Sequence, residues 1–218
     1  RGPGPIFSTT VMFSTIAICD VELEEDPMSF SDAPHDPPTV PDRYGRAARR
    51  LHWVIAVFVA CLIPLGIAMV ARGAATNFDG LTDTLYSTHK LLGFLVLWLM
   101  VLRVLVRVRH GAPPPVATLT PLERVASHAA HAALYVLLLV VPLLGWAGIS
   151  AYPALTVFGL FDLPAILPAN EAMAKTILGA HKLLAIGLGL GALAHVAAAL
   201  QHRFIKRDGV MQRMWPPG

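Results

Sequence analysis

The sequence predicts an all-α integral membrane protein, a bundle of four membrane-spanning helices. Its 218 residues are 55% apolar and only 14% charged, whereas a soluble domain carries about 25% charged residues. Four apolar runs, at 51–70, 91–106, 132–149 and 177–200, approach the ~20 residues that a helix needs to cross a hydrocarbon core of ~30 Å. The runs lack the alternation of barrel strands, so helices are the structure that satisfies their backbone in lipid.

A segment of different composition precedes the first run. Residues 1–42 hold eight of the 14 acidic side chains and four prolines between positions 34 and 41. Their apolar stretch is too short to cross a membrane. We therefore expect a disordered tail over 1–42 and a four-span domain over 43–216, with Pro64 and Pro142 kinking the first and third helices. The predicted spans are 48–71, 86–107, 126–150 and 176–202.

The domain over 43–216 is strongly basic, with 16 Lys and Arg against six Asp and Glu. This composition excludes a soluble enzyme and a disordered protein. The basic residues flank the apolar runs and form no single stripe, which disfavours nucleic-acid binding. Twelve lie on one side of the spans and four on the other, so we expect both termini in the cytoplasm. The four outer residues are Arg72, Lys90, Lys175 and Lys182.

The two cysteines, Cys19 and Cys61, lie in different segments and form no CxxC or CxxCH motif. Covalently attached c-type haem, iron–sulfur clusters and cysteine-based zinc sites are therefore unsupported. Any metal or haem must be held by other side chains.

Histidines are concentrated in the spans, where ionisable groups are costly and mark function. Seven of the nine lie in or at the edge of a span: His52, His89, His128, His131, His181, His195 and His202. His181 and His195 are 14 residues apart, so they face one side of the fourth helix, about 21 Å apart along its axis. A helix with this pattern can supply one axial ligand to each of two haems stacked across the bilayer.

The motif HKLL predicts the second ligand of the outer haem, because it opens both the second span, at His89, and the fourth, at His181. Both helices run inward from the outer face, so we expect these histidines at equal depth. Lys90 and Lys182 follow them and are candidate partners of the haem propionates. The alternative for the lysines is simple interfacial snorkelling.

The inner haem has three candidates to pair with His195, namely His52 on the first span and His128 or His131 on the third. Depth alone slightly favours His131, and spacing does not decide the choice. Arg103 lies 14 residues after His89, at the repeat position of His195. It is a candidate partner of an inner-haem propionate, because a guanidinium facing lipid is costly.

Four groups of residues together resemble the bacterial cytochrome b561 family: Arg50-Leu51-His52-Trp53, Thr88-His89-Lys90, Ser127-His128-Ala129-Ala130-His131 with Tyr135, and His181 with His195. The resemblance covers about residues 43–216. It implies a bundle that binds two b-type haems, with His52 and His195 as ligands of the inner iron and His89 and His181 as ligands of the outer iron.

The resemblance also implies a site for quinone. His202 matches a family position near the quinone or redox site, whereas its neighbour Arg203 departs from a His-His pair. His131 and His202 are therefore candidates for contacts with quinone or with the haem ligands. The sequence assigns no catalytic residue.

Members of the family pass electrons to or from membrane quinone, and one branch oxidises superoxide at the outer face and reduces ubiquinone. We expect a di-haem cytochrome of the bacterial inner membrane, with lipid, ubiquinone and a redox protein as partners. Superoxide would be attracted by Lys90, Lys175 and Lys182. One alternative is the cytochrome b anchor subunit of a hydrogenase or dehydrogenase, and another is a haem-free, histidine-lined transporter.

Overall fold

The computed structural model describes residues 43–215, so the tail predicted over 1–42 lies outside the described residues. The four long helices are α1 (Arg46–Thr76), α2 (Gly80–His110), α3 (Pro121–Ala151) and α4 (Glu171–Gln201). Each is long and apolar enough to cross a membrane. The prediction of an all-α architecture with four spans is confirmed.

Side-chain caps fix the starts of three helices. Asp79 and Asn170 each accept a hydrogen bond from the backbone amide three residues further on, at the starts of α2 and α4. Thr120 and Glu123 form a reciprocal capping box at the start of α3. Each cap satisfies amides that have no partner within the helix. These helices therefore begin five or six residues before the predicted spans, since hydropathy does not register a polar first turn.

The connections make the helices antiparallel and give the bundle two different ends. The hairpin end contains the turn 77–79 and the loop 152–170, in which β1 (Thr156–Val157) pairs antiparallel with β2 (Phe161–Asp162). The terminal end contains residue 43, the loop 111–120 and the chain after α4.

The packed core lies between α1, α2 and α3. Ile55 and Val59 of α1 meet Val96 and Met100 of α2, and Tyr135 of α3 packs against them. Helices that are consecutive in the chain pack closely, whereas α1 and α4 approach each other less closely. Pro64 and Pro142, which we expect to kink the first and third helices, lie inside α1 and α3.

The chain after α4 folds back over the terminal end. A π-helical turn (His202–Lys206) continues α4 and ends at Arg207, whose φ of 53° lies in the left-handed region. A 3₁₀ turn (Met211–Arg213) follows. The indole of Trp53 in α1 then donates a hydrogen bond to the carbonyl of Met214 (2.7 Å). The returning segment is thus fastened to the start of α1.

Candidate functional site

Two histidines from α2 and α4 face each other toward the hairpin end. The ring centres of His89 and His181 are 6.3 Å apart, with planes at 84°. A metal–imidazole bond is about 2.0–2.1 Å long and its nitrogen lies about 1.1 Å from the ring centre, so two imidazoles on opposite sides of one metal ion have centres about 6.3 Å apart. The separation of His89 and His181 fits two axial ligands of one iron.

A glycine on a neighbouring helix makes room for each of these rings. At Gly66 of α1, an added Cβ would lie 3.1 Å from Cε1 of His89. At Gly145 of α3, it would lie 3.1 Å from Cε1 and 3.2 Å from Nδ1 of His181. All three distances are shorter than ordinary van der Waals contact. The two glycines therefore let α1 and α3 pass close behind the imidazoles.

The protein fixes the orientation of one ring more firmly than that of the other. Nδ1 of His181 lies 2.8 Å from the carbonyl oxygen of Val141, so it donates to that oxygen and leaves Nε2 free to bind a metal. Nδ1 of His89 is buried and has no hydrogen-bond partner among the described residues. An unpartnered buried nitrogen is costly, and no such bond fixes the orientation of this ring.

A second group of histidines lies toward the terminal end. The ring centres of His52 in α1 and His195 in α4 are 6.2 Å apart, with planes at 80°. His131 of α3 lies nearer, with its ring centre 5.2 Å from that of His195. That separation is about 1 Å too short for two imidazoles on opposite sides of one metal ion. The geometry therefore favours His52 over His131 as the partner of His195.

The third helix holds its histidines differently. Nδ1 of His131 lies 2.6 Å from the carbonyl oxygen of Ser127, one turn earlier, and donates to it. The ring of His131 thus stands beside His195 with a fixed tautomer. His128 is exposed and, within the described part of the chain, contacts no other ring. Of the two α3 candidates, the structure brings His131 alone to this group.

Arg103 of α2 is buried next to the terminal-end histidines, with 9% of its surface exposed. Its Nη1 donates to the carbonyl of Ala48 in α1 (2.8 Å), and its guanidinium lies over the ring of Tyr135 in α3 (5.6 Å). Arg103 therefore connects three helices. Its positive charge interacts electrostatically with the imidazoles of His52 and His195.

The two lysines that follow His89 and His181 have different surroundings. Nζ of Lys90 donates to the carbonyls of Ala154 (3.2 Å) and Thr156 in the loop 152–170. Lys182 is exposed and makes no ion pair with a described residue. Lys90 thus fastens the loop to α2, while the ammonium of Lys182 is free for another anion.

The hairpin end is less positive than its lysines and arginine suggest, because four acidic side chains offset them. Arg72 pairs with Asp79 (2.5 Å) and Lys175 pairs with Glu171 (2.7 Å). The attraction expected for an anion is therefore concentrated at Lys182. The carboxylates of the other two acids, Asp83 and Asp162, attract the ammonium of Lys90 electrostatically.

His202 forms a pair that the sequence analysis did not foresee. In the π-helical turn, Nδ1 of His202 lies 2.6 Å from Oδ2 of Asp208, and the side chains are only 15% and 7% exposed. The carboxylate fixes the tautomer and leaves Nε2 to exchange a proton with a neighbour. His202 lies seven residues beyond His195, two turns further along the same face.

Asp208 and the two glycines are the residues that the sequence analysis missed. Asp208 lies after a chain reversal, so no helical period connects it to His202. The sequence does carry a signal for the two glycines. Gly66 and Gly145 each follow a proline inside a span by two or three residues.

Comparison with known proteins agrees with this architecture. A family model described as prokaryotic cytochrome b561 matches residues 43–217. The chain is 34% identical over 188 residues to cytochrome b561 homolog 2 of Escherichia coli (strain K12), covering 86% of this chain and 95% of that protein. It is 30% identical over 176 residues to cytochrome b561 homolog 1 of the same strain, covering 80% and 98%.

A further relative has a more specific name. The chain is 29% identical over 173 residues to the probable superoxide oxidase CybB of Yersinia pestis, covering 76% of this chain and 92% of that protein. The family match extends over all four spans. The chain therefore belongs to the prokaryotic cytochrome b561 family of bacterial membrane cytochromes, which bind b-type haem and carry electrons.

Proposed function

We propose that this protein is a di-haem cytochrome of the inner membrane that passes electrons from the hairpin end to membrane quinone at the terminal end. The observation that carries the proposal is the similar spacing of two histidine pairs, 6.3 Å for His89 and His181 and 6.2 Å for His52 and His195. Each b-type haem, when bound, would supply a one-electron redox centre, and an iron held by two histidines would favour electron transfer over oxygen activation.

We assign His89 and His181 to the outer haem iron and His52 and His195 to the inner haem iron. The hydrogen bond from Nδ1 of His181 to Val141 makes Nε2 of that ring a better metal ligand. It also holds the ring in one orientation. His131 would then lie beside the inner site without ligating the iron.

We assign a role to each positive side chain from its N–H donors that make no hydrogen bond or ion pair with a described residue. Arg103 uses Nη1 on Ala48 and keeps its other donors for a propionate of the inner haem. Lys182 makes no ion pair with a described residue, and we leave its ammonium free to attract an anionic electron donor instead of assigning it to a propionate. Lys90 is already bonded to the loop 152–170.

Ubiquinone reduction consumes one proton with each electron, so the quinone site needs a proton donor. We propose His202 for this role, because the Asp208 carboxylate holds Nδ1 and leaves Nε2 to deliver the proton. Asp208 acts as a positioning residue. His202 is then protonated again from the aqueous phase at the terminal end.

Superoxide is the electron donor that we propose, supported by the name of the Yersinia relative and by the unpaired charge of Lys182. Two superoxide anions lose one electron each and leave as O₂. The two electrons, with two protons, convert ubiquinone to ubiquinol. The excess of Lys and Arg at the terminal end supports a cytoplasmic location for both termini, which places the hairpin end outside.

The test uses the purified, haem-loaded protein with enzymatically generated superoxide and a soluble ubiquinone analogue. We expect ubiquinol to form, and we expect His181→Ala to abolish its formation. Ubiquinol that forms only when a dehydrogenase partner is added would instead identify an anchor subunit. Purified protein with no reduced α band and no pyridine haemochrome would identify a haem-free transporter.

A further inference from the structure

A cleft at the terminal end has none of the four paired histidines in its lining. It is lined by Arg203, Phe204, Arg207 and Gln212. The first three come from the π-helical turn and its end, and Gln212 comes from the 3₁₀ turn that folds back beside it. The proposed electron transfer assigns no role to these four residues.

Both arginines of the cleft lack an acidic partner among the described residues. In the orientation that satisfies both the oxygen and the nitrogen of its side-chain amide, Gln212 accepts a hydrogen bond from Nη1 of Arg203 (2.7 Å). Toward the described residues, Arg207 donates only from Nε, to the carbonyl of Phe204 (3.3 Å). Most guanidinium donors in the cleft are therefore free.

The nearby acids are engaged by other groups. Asp208, which follows Arg207 in the chain, pairs with His202. Glu123 of α3 pairs with Lys206, which lies between the two arginines in the sequence. Because neither carboxylate is free, no acidic side chain among the described residues is left at this end to pair with Arg203 or Arg207, and an anion from solution or the membrane can bind them.

Apolar side chains lie beside this charge. Phe204 and Ile205 are 66% and 76% exposed. They lie at the end of the fourth candidate span, which closes at Lys206, and we expect the lipid–water boundary there. A ligand that matches this surface carries an anionic group for the guanidiniums and a hydrocarbon chain for the side chains of Phe204 and Ile205. Free phosphate has only the anionic group.

We propose that this cleft binds an anionic phospholipid. Arg203 and Arg207 bind the phosphodiester, Gln212 orients Arg203, and an acyl chain lies along Phe204 and Ile205. The proposal is independent of the electron donor and of the quinone. Since the chain beyond the cleft is fastened to α1 through Trp53, bound lipid should stabilise the terminal end of the bundle.

The test is thermal unfolding of the haem-loaded protein in detergent with phosphatidylglycerol, phosphatidylcholine or inorganic phosphate added. We expect phosphatidylglycerol to raise Tm by several degrees and the other two to change it little. The Arg203→Gln/Arg207→Gln variant should lose most of that increase. The Arg46→Gln/Arg50→Gln variant should keep it, because it removes the same charge from the same end of the bundle outside the cleft.

Three results would overturn the proposal: an equal response to phosphatidylcholine, equal protection by inorganic phosphate, or an equal loss in the Arg46→Gln/Arg50→Gln control. Haem content of the cleft variant shows whether it has folded. If it has not, Arg207→Gln alone carries the test, because the long hydrogen bond to Phe204 is the only one that Arg207 makes within residues 43–215.

Discussion

Gly145 of α3 lies so close to the imidazole of His181 that an added Cβ would be 3.1 Å from Cε1 and 3.2 Å from Nδ1. We expect Gly145→Ala to tilt the ring and weaken its hydrogen bond to Val141, at an overpacking cost of about 1–3 kcal/mol. The outer haem should be lost more readily and its midpoint potential should shift. Haem content and a redox titration measure both effects.

The matched control for this prediction is Gly179→Ala. Gly179 lies on α4 two residues before His181, so it faces away from that ring, and an added Cβ would meet no atom within 4 Å. Wild-type haem content and potentials in Gly145→Ala would show that the glycine has no part in positioning His181.

A second prediction concerns the pair of His202 and Asp208. Asp208→Asn removes the carboxylate that holds Nδ1 of His202. We expect both haems to remain and the reoxidation of reduced haem by ubiquinone to slow about tenfold or more, since positioned proton donors contribute factors of this order. Stopped-flow absorbance of dithionite-reduced protein measures the rate. An unchanged rate, equal to that of the remote control Asp162→Asn, would remove Asp208 from the account.

Much of the fold is predictable because it depends on local pattern. Long apolar runs predict the helices, and the repeated HKLL motif predicts that His89 and His181 lie at one depth, since each motif opens a helix at the same end. Their ring centres are indeed close, at 6.3 Å. These inferences need only helical rise and the length of a span.

Other features depend on how separate helices and loops approach each other. Spacing alone did not choose between His52 and His131, because the decision rests on a difference of about 1 Å between two interhelical separations. Asp208 reaches His202 only through a turn that places Arg207 and Gly209 at positive φ. Counting lysines alone also overstates the charge of the hairpin end, because acidic side chains lie at the same end and two of them pair with Arg72 and Lys175.

The third prediction concerns the approach of superoxide. Lys182 is exposed, makes no ion pair with a described residue and follows His181 directly. Lys182→Gln should slow superoxide-driven haem reduction several-fold at low salt, and the difference should fade as ionic strength rises. Reduction by a neutral quinol should not change.

Lys175→Gln provides the control for this effect. It removes one charge from the same end, but Lys175 is six residues from His181 and already pairs with Glu171. Its effect should be smaller. Equal slowing by both variants would show that only net charge matters, and slowing with quinol as well would assign Lys182 to holding the haem.

The fourth prediction concerns acid stability at the hairpin end. Hydrogen bonds from Arg72 and Thr82 hold the pKa of Asp79 well below its usual range. A carboxylate with a lowered pKa stabilises the folded state above its ordinary pKa of about 4, and this stabilisation is lost as pH falls below that value. Asp79→Asn keeps an N-cap but removes the charge.

Tm measured against pH tests this prediction. Asp79→Asn should melt below the wild type at pH 7, and the gap should narrow as pH falls from about 4 toward 2. Asp83→Asn, which removes a carboxylate that accepts no side-chain hydrogen bond from a described residue, should show a smaller gap. If the difference in Tm between Asp79→Asn and the wild type stayed constant over this pH range, the charge of Asp79 would have no such role.

The central claim is that two histidine pairs hold two haems, and haem per chain by pyridine haemochrome tests it most directly. The account predicts two haems in the wild type and in His128→Ala and His131→Ala. It predicts one haem in each single variant of His52, His89, His181 and His195. Two haems retained in any of those four variants, or a haem lost in His131→Ala with none lost in His52→Ala, would contradict it.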